Sequence, residues 1–398
     1  MFPRCYTSLV RSFGLSVPGL AVAALLVLVV LEACGERDKN PPLSPLVTSS
    51  GSGGEGGFNA NPGGGPCVEA GVCGNEIHQL ALDVPNLYFV FDRSGSMAAL
   101  EPPDYDTRYE IVREAAITLI TSLGPLINPG AAVFPHGNID ANPCTAGDQI
   151  SAVTPGDPIE EDGSEGPVTA DFRFATKLTP KGGTPIAATL DEIRPTLAEL
   201  NGRTILLLLT DGGPNCNEDA VCTIDECISN IEGICPGPEN CCTEGHPQGG
   251  PLNCLDRAPT VTAIEAVAAL GIDVYVIGIT GSELYEAVLD DMAVAGGTAQ
   301  SGDSLYHKVD DLSALTQVFA EIAADAISCE IELADPPDEK GFTNVYMDCD
   351  LVPFDAVHGW TWLEDHTVWL HGDACDRLKS GQVTQVQIAT GCPTELPK

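Results

Sequence analysis

Three short motifs in this chain gather oxygen donors and glycines: Asp92-Arg-Ser94-Gly-Ser96, Gly182-Gly183-Thr184-Pro185 and Thr210-Asp211-Gly212-Gly213. In the first, two hydroxyls sit two residues apart on a turn that Gly95 permits, so both can face one ion beside the Asp92 carboxylate. Hydroxyls, carboxylates and waters are what a hard cation such as Mg2+ takes, in near-octahedral geometry. Taken alone, the first motif is better explained as an Asp/Ser-rich turn capping the next helix. The three motifs together, each beside an expected strand end or helix start, favour the ion. Covalent catalysis has no comparable support, since Ser94 lies outside any G-x-S-x-G and no His follows at an expected strand end. The seven His include no H-E-x-x-H, and His246, His366 and His371 read as structural rather than as zinc ligands. The acid run Glu160-Glu161-Asp162 with Glu165 lacks EF-hand spacing and reads as a solvated loop.

The elements that must position these motifs alternate in type. Asn86–Phe91, Thr204–Leu209, Ile272–Ile277 and Leu305–Val309 read as buried strands, with Ala131–Phe134 and Gln149–Val153 as shorter ones. Helices are expected over 107–123, 185–200, 260–270, 283–295 and 310–327. The first opens with a capping box, Thr107-x-x-Glu110, and puts Ile111, Ala115, Leu119 and Leu123 on one face. Pro195 is expected to kink or interrupt the second. Residues 155–167 read as an acidic loop, while 168–178 fits either a strand or a short helix. Apolar strands alternating with amphipathic helices predict an α/β fold, a doubly wound, mostly parallel sheet with helices on both faces. Ligand sites of such sheets collect at the carboxyl ends of the strands.

Composition bounds the rest. With 57 Asp+Glu against 18 Lys+Arg and a net charge of −39 over 398 residues, the chain lacks the basic footprint that nucleic acid requires. A 43% apolar content suffices for a sizeable core, and 16 Cys without zinc-finger spacing point to disulfides in an oxidising compartment. Arg4 and Arg11 precede an apolar run, Leu20–Leu31, that is shorter than the roughly 20 residues of a spanning helix. Residues 1–33 therefore read as a secretory signal. Leu31-Glu32-Ala33-Cys34 resembles the lipobox of bacterial lipoproteins, with Glu32 departing from it, which implies a lipid on Cys34 and a membrane attachment. Plain secretion is the alternative. Losing Cys5 with the signal and Cys34 to lipid leaves an even set: Cys67, Cys73, Cys144, Cys216, Cys222, Cys227, Cys235, Cys241, Cys242, Cys254, Cys329, Cys349, Cys375 and Cys392.

Domains follow from these shifts. Residues 34–66 form the anchor and a Gly/Pro/Ser-rich tether of about 30 Å reach. A short Cys-containing lead-in spans 67–82, and 83–328 holds the α/β domain with a disulfide-rich insert at 213–254. Residues 329–398 read as a small β-rich domain in which Trp360, Trp362 and Trp369 serve core packing rather than sugar stacking.

Across about residues 83–328 the chain resembles the von Willebrand factor type A family, whose metal-ion-dependent adhesion site uses D-x-S-x-S, a later Thr and a later Asp. All five positions match, as Asp92, Ser94, Ser96, Thr184 and Asp211. The resemblance implies Mg2+ (or Mn2+ or Ca2+) held by the hydroxyls, with Thr184 joining when ligand is bound. The two acids would act mainly through waters or Ser contacts, and one position is left for a partner's Asp or Glu. It implies binding of an extracytoplasmic protein and no enzymatic activity. Thr210–Cys216 and the tail Gly359-Trp360…Cys375…Gly391-Cys392-Pro393-Thr394 further resemble lipoproteins of this family from myxobacteria and their relatives, which implies a cell-envelope protein, and Gly35 after Cys34, in place of a retention Asp, points by analogy to the outer membrane. A structural lipoprotein without a metal-mediated partner and a hydrolase with a site elsewhere are the other classes. The intact ligand set argues against the first and the missing nucleophile–base pair against the second. An acidic surface also implies that the partner's carboxylate sits in basic or neutral surroundings.

Overall fold

A computed structural model describes residues 76–78, 80–159, 163–235, 238–247, 249–334, 337–381, 383 and 385–396. The signal, Cys34, the tether, Cys67, Cys73 and Glu160-Glu161-Asp162 lie outside the described residues. In chain order the elements are β1 (Glu76–Ile77), β2 (Leu80–Leu82), β3 (Asn86–Asp92), β4 (Leu100–Glu101), β5 (Asp106–Thr107), α1 (Arg108–Leu123), β6 (Asn128–Phe134), β7 (Asp148–Ser151), α2 (Pro167–Ala175) and α3 (Ile186–Ala198). They continue with β8 (Thr204–Thr210), α4 (Ile228–Ile231), α5 (Arg257–Ala268), β9 (Asp273–Ile279), α6 (Glu286–Ala295), β10 (His307–Val309) and α7 (Leu315–Ala326). The last part holds β11 (Glu330–Leu333), β12 (Thr343–Met347), β13 (Asp350–Val352), β14 (Trp360–Trp362), β15 (Thr367–Leu370), α8 (Asp373–Lys379) and β16 (Val386–Thr390).

Six strands form the main sheet in the order β10-β9-β8-β3-β6-β7, all parallel except β7, which runs antiparallel to β6. This is the expected doubly wound α/β sheet. Continuous apolar strands are required because both faces are covered, and alternate residues serve opposite cores. Leu87, Phe89 and Phe91 of β3 pack in one core with α1 and α7, while Tyr88 and Val90 pack in the other with α3, α5 and α6. β8 divides the same way, with Ile205, Leu207 and Leu209 on the first side and Leu206 and Leu208 on the second. From β3 the chain adds β6 and β7 outward on one side, then returns to place β8, β9 and β10 on the other. The reversal between β3 and β8 is the topological switch point, and ligand sites of such sheets collect beyond the carboxyl ends of the strands there.

The capping box of α1 is present: the Thr107 hydroxyl accepts from the Glu110 amide at 3.2 Å, and the Glu110 carboxylate accepts from the Thr107 amide at 3.1 Å. Residues 167–175 are helical, because Phe172 must reach the Phe89 ring at 5.8 Å and a buried acid holds the helix start. Asp157 accepts from the Val168 and Thr169 amides and the Thr169 hydroxyl, although it lies in the segment whose acidity reads as loop. Pro195 does not break α3. It is exposed near the helix end, so the carbonyl it leaves unpaired faces water.

The C-terminal region is β-rich, but it is not built from residues 329–398 alone. β1 pairs with β16 and β2 with β11, so the lead-in supplies strands to both sheets, ordered β1-β16-β12-β13 and β14-β15-β11-β2. Val345, Ile388 and Trp360 share one continuous core with α1 and α7 of the main domain. Trp360 is fully buried in that core, whereas Trp369 is 41% exposed, so core packing does not account for all three indoles. Among the described residues no helix is long and apolar enough to cross a membrane.

Disulfides organise the insert as expected. Cys222–Cys254, Cys227–Cys242 and Cys235–Cys241 close within it, and the cystines themselves form its buried centre. Cys216 instead bonds Cys144, outside the insert, and Cys329 bonds Cys375. Cys349 and Cys392 are disulfide-bonded as well.

Candidate metal centre

β3 ends on Asp92 and β8 ends on Thr210, so Asp92 and Asp211 arrive side by side at the switch point. Asp92 is fully buried and satisfied from both sides: Oδ1 accepts the Ser94 amide at 2.7 Å and Oδ2 accepts the Thr210 hydroxyl at 2.6 Å. The turn this creates aligns the two serines, whose Oγ atoms are 3.0 Å apart. Ser96 Oγ then donates to Asp211 Oδ1 at 2.6 Å. Ser94 is buried and Ser96 exposed, so the cluster opens to solvent on the Ser96 side.

Thr184 reaches the cluster through its loop. The Gly95 amide donates to Gly182 O at 2.9 Å and the Lys181 amide to Arg93 O at 2.7 Å, which laces the loop before α3 onto the Asp92–Ser96 turn. Gly182 adopts φ +100°, a left-handed conformation that glycine accommodates without strain. Arg93, itself buried, donates from Nε to Pro135 O at 2.7 Å and ties the turn to the end of β6. The Thr184 hydroxyl has no hydrogen-bond partner among the described residues, and Thr184 precedes rather than enters α3, which starts at Ile186.

The most consequential residue absent from the sequence expectation is Arg108. Its Nη1 donates to Asp211 Oδ2 at 2.8 Å and its Nε to Glu101 Oε1 at 2.7 Å, the latter on the small hairpin β4–β5. A signal did exist. A cation at the first position of a helix opposes the macrodipole, so it needs a tertiary reason to be there. Thr210, which supports Asp92, stood inside a recognised motif without an assigned role.

Burial and the neighbouring Asp211 charge push the Asp92 carboxyl up to about 7, against the pull of its Thr210 and Ser94 hydrogen bonds. Asp211 is also raised, by burial first, with Ser96 and Arg108 opposing. Arg108 pairs with Asp211, while the partners of Asp92 are Ser94 and Thr210, so the two buried acids are short of positive charge, and the ligand atoms of the acids and hydroxyls are all oxygen. That chemistry fits a hard divalent cation. Among the described residues Cys222, Cys242 and Cys254 cluster, but each is in a disulfide and offers no thiolate to zinc.

A pH effect follows. Between the unfolded carboxyl value near 4 and about 7, the native metal-free protein binds a proton at Asp92 that the unfolded chain does not. Stability without metal should therefore fall as pH rises across that window and level off above it. Thermal unfolding in chelator from pH 5 to 8 measures this, and Asp92→Asn should flatten the slope. An unchanged slope in that variant would assign the effect to the overall acidic charge instead.

No family model matches the chain, and no curated protein matches it. Among solved structures, the chain is similar to the pilus adhesin SpaC from Lactobacillus rhamnosus GG at 16% identity and TM-score 0.43, covering 79% of this chain and 40% of that one. It is also similar to the vWF domain of the type V pili tip protein Mfa5 from Porphyromonas gingivalis, at 14% identity and TM-score 0.38 over 61% of this chain and 94% of that one. The manganese-loaded TRAP protein of Plasmodium vivax matches at 14% identity and TM-score 0.38, over 68% and 89%. The chain thus spans less than half the length of SpaC.

Proposed function

We propose that this chain is an extracytoplasmic von Willebrand A-type adhesion protein that holds Mg2+ or Mn2+ on Asp92, Ser94, Ser96 and Thr184, with Asp211 supporting, and binds a partner protein's Asp or Glu there. The observation that carries the reading is the continuous chain Ser94–Ser96–Asp211 at the switch point, beside buried Asp92 and open to solvent at Ser96. When bound, the ion supplies the positive charge that a partner carboxylate seeks. The protein's residues do the rest. Asp92 orients the turn through the Ser94 amide, Ser96 carries the link to Asp211, and Arg108 with Ser96 occupies both Asp211 oxygens, which leaves Asp211 in a supporting place. Three of the donors are then neutral hydroxyls, which leave the ion's charge available to a partner carboxylate.

The disulfides support an oxidising compartment for this domain, and the reading makes it a cell-envelope protein attached through a lipid on Cys34. The test is recovery of envelope or matrix proteins by the full chain, with and without chelator. Wild type should capture partners only with Mg2+ or Mn2+, and Asp211→Ala should lose them. Capture by wild type in chelator, or by the mutant with metal, that equals capture by wild type with metal would defeat the metal-mediated reading.

A further inference from the structure

We propose that the Cys144–Cys216 disulfide, acting with Asn215, is the positioning device of the Thr184 loop, so that full metal affinity requires this bond to be closed. The inference rests on the metal-site reading above and names the residues that make the third motif competent. Cys144 lies on the segment after β6 and Cys216 directly after Thr210–Asn215, 72 residues apart. Their cystine sits against the Gly183 backbone, where a Cβ on Gly183 would strike Cys216 Sγ and lie 3.3 Å from Cys144 Sγ. Glycine is required there because the sulfurs take the room of a side chain.

Both arms of the bridge also grip the loop by hydrogen bonds. On the Cys144 side, Pro143 O accepts from the Gly183 amide at 2.9 Å. On the Cys216 side, Asn215 Oδ1 accepts from the Thr184 amide at 2.8 Å and the Asn215 amide donates to Thr184 O at 3.0 Å. Thr184 is thereby held by its backbone on both polar atoms while its hydroxyl stays uncommitted. Cys216 adopts φ +81°, an unfavourable conformation for a residue with a Cβ, and the crosslink and the Cys216 amide's bond to Leu252 O at 2.9 Å keep it there. None of these segments belongs to a strand or helix, so without the crosslink Thr184 is held by loop hydrogen bonds alone and its place is less firmly fixed.

The experiment uses the full oxidised chain and Mn2+ as probe, followed by calorimetry and electron paramagnetic resonance. Cys144→Ser/Cys216→Ser should weaken Mn2+ binding by about tenfold, the low end of what orienting residues contribute. Cys329→Ser/Cys375→Ser, which removes a remote disulfide, should leave it unchanged. Asn215→Ala should weaken binding with every cystine intact, so misfolding of the double variant cannot decide the matter. In metal-free protein, amide exchange at Gly183 and Thr184 should accelerate in both loop variants and not in the control. If wild type binds Mn2+ and both loop variants bind it equally well, the positioning role is overturned. If wild type itself binds none, the metal-site reading fails.

Discussion

Asp92→Ala is expected to lower Mn2+ affinity by more than about 100-fold, or about 2.7 kcal/mol, beyond the 10–100-fold typical of residues that only orient a ligand. The magnitude follows from two losses at once. The carboxylate is fully buried beside the serine turn, and its Oδ1 holds the Ser94 amide that shapes that turn. Asp92→Asn separates the two, since the amide oxygen can keep the turn while the charge is gone, and it should lose nearly as much affinity. Without metal the order reverses: at pH 8 Asp92→Asn should be at least as stable as wild type, because the buried charge it removes is costly there. Titration by calorimetry and unfolding in chelator measure both. Mn2+ affinity within a few-fold of wild type in either variant would remove Asp92 from the site.

Arg108→Ala should destabilise the metal-free protein by about 3 kcal/mol at pH 8, the lower end expected when one partner of a buried ion pair is removed. The Asp211 side chain is fully shielded and keeps Ser96 as its side-chain donor once the guanidinium has gone, while the Arg108 side chain is 16% exposed. Saturating Mg2+ should restore most of the loss, because an ion in the cluster supplies the charge that Arg108 supplied. The metal-induced gain in Tm should therefore exceed that of wild type. Arg108→Lys keeps a cation but gives up the fork that also holds Glu101, and should fall between the two. An Arg108→Ala protein as stable as wild type in chelator would show that the pair does not carry the apo site.

Local signals explain which parts were legible. The strands 86–92 and 204–210 show as unbroken apolar runs because two-sided burial demands it, and the Thr107–Glu110 cap because its partners are three residues apart. The helix at 167–175 was ambiguous because its start is held by Asp157, ten residues before it and outside any capping pattern. The lead-in strands at 76–77 and 80–82 were missed because strands this short carry no period, and their pairing partners lie more than two hundred residues away.

The site divides along the same line. Residue type alone set the expected chemistry: acids, hydroxyls and permissive glycines in three motifs suit an oxygen-loving cation. Only the tertiary structure decided how they meet. The order β9-β8-β3-β6 sets Ser96 against Asp211 across 115 residues, brings Arg108 from the helix start to share that acid, and sends Cys216 to Cys144 rather than to a cysteine of its own insert. The physical reason is range. Donor chemistry and periodicity are set within a few covalent bonds, whereas charge balance and crosslinks depend on which strand ends the sheet places together.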